Sequence, residues 1–418
     1  MSKTIKSIRP ILIAVMILVF MFSWTCEGWA VSSVQKNFRV NTGYLVSGTD
    51  FDSVVLAIKK DHSLWDVSKN KKLATGVKQA YSIEKGLLVL KRNGKLQYMY
   101  RKSSGSWSTQ TLLKEVRELP DNPIIWNAES TFVYAVKKND RMVKGTIKFN
   151  TKGSKVTSKK WKTLLSNVSH CYISGEEYGM QDITYYALKK NGKLYAWGYN
   201  KHGEVGNGKT KKVKKPTLIL KNVKYFTCSY QINGTAAQGG CTAYAIKKNG
   251  DLMSWGVNDF LTVQSGLGEK VKKPTKILED VDWVDGADHV AIAITKDKVL
   301  WTWGTAIGVT SVEGNTVMHE GIGLTSVAKN VIAADIDQFT LYFIDTSNRL
   351  KYVGFAPTSA YENTTTPKKM LSKVKAIYTT DVDGSFALKT DGSLYGWGFA
   401  KGGKYITKPK KLATGFAK

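Results

Sequence analysis

The chain has 418 residues, with 62 Lys and Arg against 33 Asp and Glu, and its formal net charge at pH 7 is +29. A charge of this size favours anionic partners, although lysines spread along the whole chain are equally typical of a solvated surface. Three of the four cysteines, Cys171, Cys228 and Cys241, follow the first thirty residues, and this odd, small number excludes a disulfide framework. A pair between Cys228 and Cys241, which flank a loop, and three unbonded core cysteines are equally compatible with the sequence.

The first thirty residues have the three parts of a secretory signal peptide. They start with three positive charges, continue with an unbroken apolar run at residues 11–22, and end in a small-residue site at residues 28–30. An uncleaved N-terminal membrane anchor is the second interpretation, since the apolar run is short for a spanning helix of roughly 20 residues. A lipid attachment site at Cys26 is a third and weaker one.

Residues 31–418 are therefore expected to form a single mature domain that is secreted from a bacterium or held at its extracellular cell surface. Cleavage after residue 30 removes three positive charges and one negative charge, so the net charge of the mature chain is near +27. Outside the cell the anionic partners are wall polymers, acidic lipid headgroups or acidic proteins. No nucleotide and no specific nucleic acid is expected as a ligand, and membrane contact is expected only through an uncleaved N-terminal segment.

A short pattern recurs eight times along the rest of the chain. Each copy has alternating apolar residues, a polar turn and a second apolar strand, as in YALKKNGKLYAWG from Tyr186. Alternation of this kind predicts half-buried strands, and Asn191-Gly192 supplies the positive φ angles of a tight two-residue hairpin turn. The copies begin at Leu56, Leu88, Tyr134, Tyr186, Tyr244, Ile292, Tyr342 and Phe386.

Two further segments complete each copy. A proline followed by a short apolar run, as at Pro216, predicts a third strand with the proline at its first position, before the ladder starts. A segment such as NVKYFTCS from Asn222 predicts a fourth strand, and a recurring alanine before the turn suggests strands that crowd near a central axis. Units of about four short strands predict an all-β fold, a β-propeller of seven or eight four-stranded blades. A two-layer β-sandwich is the weaker alternative, because it would not need identical hairpins.

The best copy, residues 187–220, follows the pattern A-L-x-x-x-G-x-L-Y-x-W-G-x-N-x-x-G-x-V-G-x-G, with a proline before the next apolar strand. This pattern resembles the regulator of chromosome condensation (alpha-tubulin suppressor-like) repeat, and the signal peptide suggests a secreted bacterial branch of that family. The resemblance implies a propeller, usually of seven blades, whereas eight hairpins are present here, so we expect strand exchange between the termini. Nuclear members of the family are exchange factors for a small GTPase, which an exported chain would not meet. Secreted bacterial members that inhibit β-lactamases imply protein binding in general.

The motifs that could carry catalysis have structural explanations. The glycines at positions 203, 206 and 208 precede a basic loop and not a helix, so we interpret them as turn glycines and not as a phosphate loop. The five histidines form no His-x-x-x-His pair, no Cys-x-x-Cys occurs, and the acidic cluster at residues 279–288 lacks the spacing of a calcium loop. We therefore expect no metal, no cofactor and no enzymatic activity. A propeller enzyme, such as a lyase or glycosidase, is the remaining alternative and would need acid–base residues that converge at the axis.

Aromatic residues are the candidates for partner binding. Four tryptophans that recur at one position of the repeat are predicted to pack between blades: Trp197, Trp255, Trp303 and Trp397. Residues in the loops that follow them have less need to be buried, and loop aromatics are the usual anchors of a protein-binding face. The predicted partner-binding residues are Tyr199, Lys201, His202, Phe260 and Phe399. A protein partner is the first prediction, and an anionic wall polymer or glycan is the alternative.

Overall fold

The computed structural model describes residues 40–416 except 48–49, 84–85, 103, 121, 127–130, 151–154, 176–182, 232–239, 265, 288, 314–315, 337–339, 356–362, 380–383 and 402–403. The predicted signal peptide at residues 1–30 therefore lies outside the described residues. Within those residues, no helix has the length and apolar character needed to cross a membrane.

In the described part of the chain, 33 strands form eight antiparallel sheets, the blades of a propeller. Blade 1 contains β1 (Val40–Ser47), β2 (Asp50–Ile58), β3 (Leu64–Asp66) and β4 (Lys71–Ala74). Blade 2 contains β5 (Val77–Ile83), β6 (Gly86–Lys91), β7 (Leu96–Arg101) and β8 (Trp107–Leu113). Blade 3 contains β9 (Val116–Glu118), β10 (Ile124–Trp126), β11 (Thr131–Lys137), β12 (Met142–Phe149) and β13 (Val156–Leu165). Blade 4 contains β14 (Val168–Ser174), β15 (Thr184–Lys189), β16 (Leu194–Gly198) and β17 (Val213–Leu220).

The second half of the chain continues in the same way. Blade 5 contains β18 (Val223–Gln231), β19 (Gly240–Lys247), β20 (Leu252–Val257) and β21 (Lys270–Leu278), with a 3-10 turn at Asp259–Leu261. Blade 6 contains β22 (Val281–Ala287), β23 (Val290–Thr295), β24 (Leu300–Glu313) and β25 (Thr316–Ala328). Blade 7 contains β26 (Val331–Ile336), β27 (Thr340–Asp345), β28 (Arg349–Phe355) and β29 (Asn363–Ser372). Blade 8 contains β30 (Val374–Tyr378), β31 (Ser385–Lys389), β32 (Leu394–Lys401) and β33 (Lys404–Ala413).

The first strand of each blade is the innermost one. First strands of neighbouring blades touch each other, as β18 touches β22 and β22 touches β26, whereas the fourth strand of each blade forms its outer edge. Blade 3 has a fifth strand because its inner strand is split, and both β9 and β10 pair with β11. The predicted all-β propeller of four-stranded blades is confirmed. Of the two predicted blade numbers, seven and eight, the structure has eight.

The ring has two different ends. The turns between second and third strands lie at one end, which we call the turn face. Because the strands are antiparallel, the other connections within a blade lie at the opposite end, which we call the loop face. The loop face carries the connection at residues 199–212 in blade 4 and the connection at residues 258–269 in blade 5.

The sequence repeat and the blade are out of phase by one strand. The repeated hairpin forms the second and third strands, the proline-containing segment forms the outer strand, and the segment from Asn222 leads into the next blade. The predicted position of the prolines was wrong, since Pro216 lies inside β17 and Pro274 inside β21. An outer strand has one unpaired side, and the ladder shifts register beside each proline, so the missing N–H is tolerated there.

The recurring alanines before the turn are all fully buried, but they lie on the second strand of each blade and not on the innermost one. They pack between blades, one strand away from the axis, in contrast to the expectation from the sequence. The residues are Ala57, Ala135, Ala187, Ala245, Ala293 and Ala387.

The recurring tryptophans pack between blades, as predicted. Trp255 lies 6.4 Å (ring centroids) from Tyr186 of the preceding blade, and Trp303 lies 5.8 Å from Tyr244. Trp255, Trp303 and Trp397 are at most 1% exposed, and Trp197 is 7% exposed. Full burial of such large rings removes much apolar surface from water and makes each blade depend on its neighbour.

Each joint between blades is fixed by two backbone hydrogen bonds. In blade 5 the N–H of Val223 donates to the carbonyl of Gly192 in the preceding blade at 2.9 Å. The N–H of Lys248, in the turn of blade 5, donates to the carbonyl of Asn222 at 2.7 Å. The start of the inner strand, at Asn222 and Val223, is therefore held from both sides.

The C-terminal residues Gly415 and Phe416 form the same joint for blade 1. The N–H of Phe416 donates to the carbonyl of Gly392 at 3.2 Å, and the N–H of Lys60 donates to the carbonyl of Gly415 at 3.4 Å. Phe416 is 2% exposed and packs in a cluster with residues of blades 1 and 8. The expected strand exchange between the termini does not occur among the described strands, because blade 1 (β1–β4) and blade 8 (β30–β33) each take all their strands from one end of the chain. The C-terminal residues contribute this joint instead.

Cys171, Cys228 and Cys241 are buried, and no disulfide bond joins Cys228 to Cys241. On the paired strands β18 and β19, Cys228 stands opposite Ala243, and Cys241 stands opposite Tyr230. Diagonal positions of this kind are roughly 7–8 Å apart between Cα atoms, beyond the usual span of about 4.4–6.8 Å in disulfides. The pairing considered from the sequence is therefore not formed, and the alternative of three core cysteines describes the structure.

Candidate interaction sites on the loop face

One buried side chain braces the blade 4 connection. The Nδ2 of Asn200 donates to the carbonyls of Lys209 at 2.8 Å and Lys211 at 3.1 Å, and its Oδ1 accepts from the N–H of Val205 at 2.9 Å. Asn200 is fully buried, so these bonds replace those that water would make. They tie the two halves of the connection together and fix the backbone beneath the exposed Lys209.

The glycines of this connection allow close contact with blade 5. A Cβ atom at Gly203 would lie 2.8 Å from the Cα of Lys272, and one at Gly206 would lie 2.7 Å from the indole nitrogen of Trp255. The N–H of Gly208 donates to the carbonyl of Lys272 at 2.8 Å. The glycines therefore allow this connection to lie against the next blade. Their φ angles of 88°, 79° and 82° confirm the prediction that they are turn glycines.

The connection also supplies one carbonyl to the slot between blades 4 and 5. The hydroxyl of Tyr186 donates to the carbonyl of Glu204 at 2.5 Å, and the Nε1 of Trp255 donates to the same carbonyl at 2.9 Å. Burial raises the pKa of Tyr186 well above its usual value, so the hydroxyl stays protonated and donates. Val205, fully buried, belongs to the same core cluster as both rings.

The blade 5 connection repeats this arrangement. Asn258 accepts from the N–H of Val263 at 2.7 Å and donates to three carbonyls of its own loop. The carbonyl of Thr262 accepts from the hydroxyl of Tyr244 at 2.9 Å and from the Nε1 of Trp303 at 2.8 Å. Burial likewise raises the pKa of Tyr244. Two adjacent slots are thus filled by loops of the chain itself.

The predicted partner-binding residues of blade 4 do not form one exposed patch. Lys201 is exposed and Tyr199 is half-buried, but His202 is only 7% exposed. The Nδ1 of His202 lies 3.1 Å from Oε1 of Glu204, whose other carboxylate oxygen accepts from the backbone N–H of His202 at 2.8 Å. Glu204 is fully buried, so this pair faces the core. The sequence does not reveal that orientation, because Gly240, 38 residues away from His202, leaves the space for it.

The other two predicted binding residues lie in blades 5 and 8. Phe260 is in the 3-10 turn at Asp259–Leu261, and Phe399 is in β32. Their side chains are not among those that the structure describes.

The acidic residues near position 280 are paired with lysines. No group of three or more His, Cys, Asp or Glu side chains suited to a metal ion occurs in the described ranges. The ion pairs are Lys276–Glu279 at 2.5 Å, Lys296–Asp280 at 2.7 Å and Lys224–Asp282 at 2.9 Å. This cluster therefore forms a mixed-charge surface on blades 5 and 6.

A site that the sequence did not reveal lies between blades 3 and 4. We call it the blade 3–4 slot and define it by Phe132, Tyr134, Lys144, Tyr185 and Trp197. The rings of Tyr185 and Trp197 are stacked, with centroids 5.2 Å apart and an interplanar angle of 13°. The Nζ of Lys144 lies 3.5 Å from the ring centroid of Phe132, and the hydroxyls of Tyr134 and Tyr185 are 3.2 Å apart. Phe132, Lys144 and Tyr185 are each half-buried.

Exposed lysine pairs mark the outer strands. Six of the eight outer strands, all within the described residues, carry two consecutive exposed lysines. Lysine on an edge strand also discourages pairing with another chain. The pairs are Lys71-Lys72, Lys159-Lys160, Lys214-Lys215, Lys272-Lys273, Lys368-Lys369 and Lys410-Lys411.

One segment of the chain is similar to a known repeat family. The family model "Regulator of chromosome condensation (RCC1) repeat" matches residues 191–234, which run from the turn of blade 4 into blade 5. Human E3 ubiquitin-protein ligase HERC2 is 31% identical over 124 residues, which are 28% of this chain and 2% of HERC2. Human protein RCC2 is 33% identical over 94 residues, which are 22% of this chain and 16% of RCC2. The chain thus spans a small part of the curated relatives that it matches.

Among solved structures, Prp20p from Saccharomyces cerevisiae is similar to this chain with a TM-score of 0.46 and 13% sequence identity. The alignment covers 70% of this chain and 76% of Prp20p. The matched segment and the sequence relatives support the resemblance to the RCC1 repeat that the pattern of residues 187–220 indicated.

Proposed function

We propose that the protein is a non-catalytic scaffold built from RCC1-type repeats, which acts outside or on the surface of a bacterial cell and binds a protein partner through its loop face. The observation that carries the proposal is the bracing of the connections by Asn200 and Asn258. Loops that are already ordered lose little conformational entropy on binding, which favours affinity. Lys201 and Lys209, both exposed on the blade 4 connection, would favour an acidic surface.

The relatives give no basis for an enzymatic assignment. HERC2 is a ligase by name, but the matched segment is 2% of that protein, and its activity is not carried over to this chain. Export rests on the sequence pattern of residues 1–30 alone.

The test is capture of a partner by the purified full chain from surface extracts of the producing bacterium. We expect one stoichiometric protein, with at least a tenfold smaller yield for the Lys201→Glu, Lys209→Glu double variant. The Lys248→Glu variant on the turn face is the control and should capture as well as wild type, since that residue is also exposed. Equal capture by wild type and both variants would show that the partner does not bind through these lysines of the loop face.

The lysine pairs of the outer strands favour a second candidate, binding of an anionic wall polymer or glycan around the circumference. Among the described residues, no carboxylate lies within ion-pair distance of these twelve lysines. Retention on isolated cell walls should then fall steeply as salt is added, because exposed charges are screened over roughly 10 Å at 0.1 M ionic strength. Retention that is unchanged at high salt would argue against this candidate.

A further inference from the structure

We infer that a groove on the turn face, between blades 5 and 6, binds the ammonium group of a lysine side chain from a protein partner. The groove lies at the opposite end of the ring from the loop face, so this contact is separate from the one proposed above. We call it the blade 5–6 groove and define it by residues 276–280, residues 295–297 and Trp301. Its volume of about 770 Å³ leaves room for a side chain and a short stretch of backbone.

In three other blades the chain itself supplies an ammonium at the corresponding place. A lysine at the end of the second strand, or directly after it, lies over an aromatic ring of the third strand. The negative face of such a ring attracts the ammonium. Measured from Nζ to the ring centroid, the contacts are Lys59–Trp65 at 3.8 Å in blade 1, Lys189–Tyr195 at 4.9 Å in blade 4 and Lys389–Tyr395 at 5.1 Å in blade 8.

Blade 6 has a threonine where these blades have a lysine. The N–H of Thr295 donates to the carbonyl of Val299 at 3.0 Å, as the N–H of Lys59 donates to the carbonyl of Ser63 at 2.9 Å, so Thr295 and Lys59 occupy equivalent positions. The short threonine side chain donates its hydroxyl proton to Asp297. The space that the lysine stem fills in the other blades is therefore part of the groove in blade 6.

Trp301 keeps the aromatic position of the repeat. It stands opposite Ala293 in the ladder, as Trp65 stands opposite Ala57. Its ring is half-buried and lines the groove. Among the described side chains, none places a cation over this ring or accepts a hydrogen bond from its Nε1. Blade 6 therefore has the ring that receives an ammonium in blade 1, without the ammonium.

The two lysines that line the groove are engaged elsewhere. The Nζ of Lys276 lies 2.5 Å from Oε1 of Glu279, and the Nζ of Lys296 lies 2.7 Å from Oδ1 of Asp280. Lys296 also donates to the carbonyl of Asn249, in the turn of blade 5, at 3.5 Å. These carboxylates hold the lysines in the wall of the groove and away from the indole.

Asp297 favours a primary ammonium as the occupant. Its side chain is exposed, and in the described part of the chain no basic side chain lies within ion-pair distance of it. One carboxylate oxygen accepts from Thr295, which leaves the other for an N–H donor of the ligand. A quaternary ammonium has no N–H and would contact the ring alone. An uncovered indole beside an unpaired carboxylate therefore matches a lysine side chain.

The probes are two blocked tripeptides, acetyl-Gly-Lys-Gly-amide and the same peptide with norleucine in place of lysine. Norleucine keeps the aliphatic stem and lacks the ammonium. Each peptide would be titrated with the full chain and followed by ligand-observed saturation-transfer NMR. We expect the lysine peptide to bind about fivefold more tightly or better, as estimated for an ammonium on an indole. Equal affinities, or failure of the lysine peptide to bind wild type at millimolar concentration, would overturn the inference.

The variant that tests the site is Thr295→Lys, which restores the chain's own lysine over the ring. It should fold, because six of the described blades have lysine at this position. We expect it to weaken binding of the lysine peptide by about tenfold or more, since the site is then occupied. Thr325→Lys adds the same charge at an exposed position on the outer strand of blade 6 and should bind like wild type. Equal binding by wild type and Thr295→Lys would contradict the inference.

A second variant tests the ring without adding charge. Trp301→Leu should weaken binding of the lysine peptide by about fivefold and leave the affinity for the norleucine peptide nearly unchanged. Circular dichroism and denaturant titration would show that the variant is folded. Loss of affinity for both peptides to the same extent would show that the ring does not recognise the ammonium.

Two more ligands identify the source of the ammonium. A trimethyl-lysine peptide and choline should both bind more weakly than the lysine peptide, and Asp297→Asn should remove that preference. Tighter binding of choline would overturn the assignment to lysine and indicate a lipid headgroup or a choline-bearing polymer. These titrations use purified protein and defined ligands, so their failure would leave the scaffold proposal standing. Absence of any captured protein in the surface-extract experiment would remove the scaffold proposal and leave the groove as an ammonium site.

Discussion

Asn200 and Asn258 fix two loops that no strand ladder supports. Each side chain replaces several backbone partners at once, because an amide group can donate and accept within one loop. The loops therefore keep their shape without strand pairing. The repeat pattern contains this asparagine, but only its hydrogen bonds in the structure show that it fixes the loop.

Removal of this amide tests its contribution to stability. The Asn200→Ala variant leaves the N–H of Val205 buried without its acceptor, so we expect the free energy of unfolding to fall by about 1–3 kcal/mol. Denaturant titration with circular dichroism would measure it. Lys201→Ala in the same loop should change stability by no more than about 0.5 kcal/mol. Equal stability of the two variants would contradict the role of Asn200.

A second residue-scale feature is the glycine that follows each repeated tryptophan. Gly256 has a φ of 109°, and a Cβ there would lie 2.2 Å from the carbonyl oxygen of Cys241. We expect Gly256→Ala to lower the free energy of unfolding by more than about 2 kcal/mol, since it combines backbone strain with a clash. Gly268→Ala is the matched control, because nothing lies within 4 Å of the added atom. Thermal unfolding of both variants would measure the difference in stability. Similar losses of stability in the two variants would contradict the role of Gly256.

Residue roles that repeat were predictable from the sequence, and residue roles that depend on distant neighbours were not. The position of Trp255 in the repeat was enough to predict its packing between blades. The inward orientation of His202 depends on Glu204 and on the space at Gly240, which no local pattern reports. The blade 3–4 slot was missed because it consists of contacts such as that between Tyr134 and Tyr185 of neighbouring blades, and hairpin patterns do not record contacts between blades.

At the scale of the element, the turns differ in how they are held. The turn between β27 and β28 has no Asn-Gly pair and depends on Asp345. Its Oδ1 accepts from the N–H of Ser347 at 3.0 Å, and its Oδ2 accepts from the Nε of Arg349 at 2.8 Å. Burial alone would raise the pKa of Asp345, but the hydrogen bonds from Arg349, Lys351 and Ser347 outweigh it and lower the pKa.

This turn predicts an acid-sensitive contribution to stability. Because the folded-state pKa of Asp345 lies below the unfolded value of about 3.9, its contribution is present above that value and is lost as the pH falls through the folded-state pKa. The Asp345→Asn variant should therefore be less stable than wild type at pH 7, with a difference that shrinks below about pH 4. Ser347→Ala keeps the backbone donor and should follow wild type. Denaturant titrations between pH 7 and pH 2 would test this, and a pH-independent difference would contradict it.

The strands were largely predictable, but their grouping into blades was not. Alternation and turn residues identify a hairpin such as that of β15 and β16 locally. Which strand begins a blade depends on how the ring closes, and closure involves residues at opposite ends of the sequence. The prolines were misplaced for a related reason, since only the blade arrangement shows that β17 is an outer edge.

At the scale of the whole molecule, the ring is closed by Gly415 and Phe416. The Phe416→Ala variant removes a ring that is 2% exposed from the joint between blades 8 and 1. We expect it to lower the free energy of unfolding by about 3–5 kcal/mol, as for other buried phenylalanines. Tyr405→Ala on β33, where the side chain is 44% exposed, is the control and should cost far less. Comparable losses in the two variants, measured by denaturant titration, would show that the joint is not required.

The joint formed by Gly415 and Phe416 also bears on the order of folding. Seven joints can form as soon as the next blade has been made, but the eighth joins blade 8 to blade 1 and needs residues 415–416, which follow the last strand of blade 8. Until then the flank of blade 1 that faces blade 8 has no neighbour, and Val55, Ala57 and Val67 stay accessible to solvent. Chains that lack residues 415–416 would expose this apolar flank to chaperones and proteases. The absence of this one joint would therefore mark such chains for recognition by chaperones or for degradation.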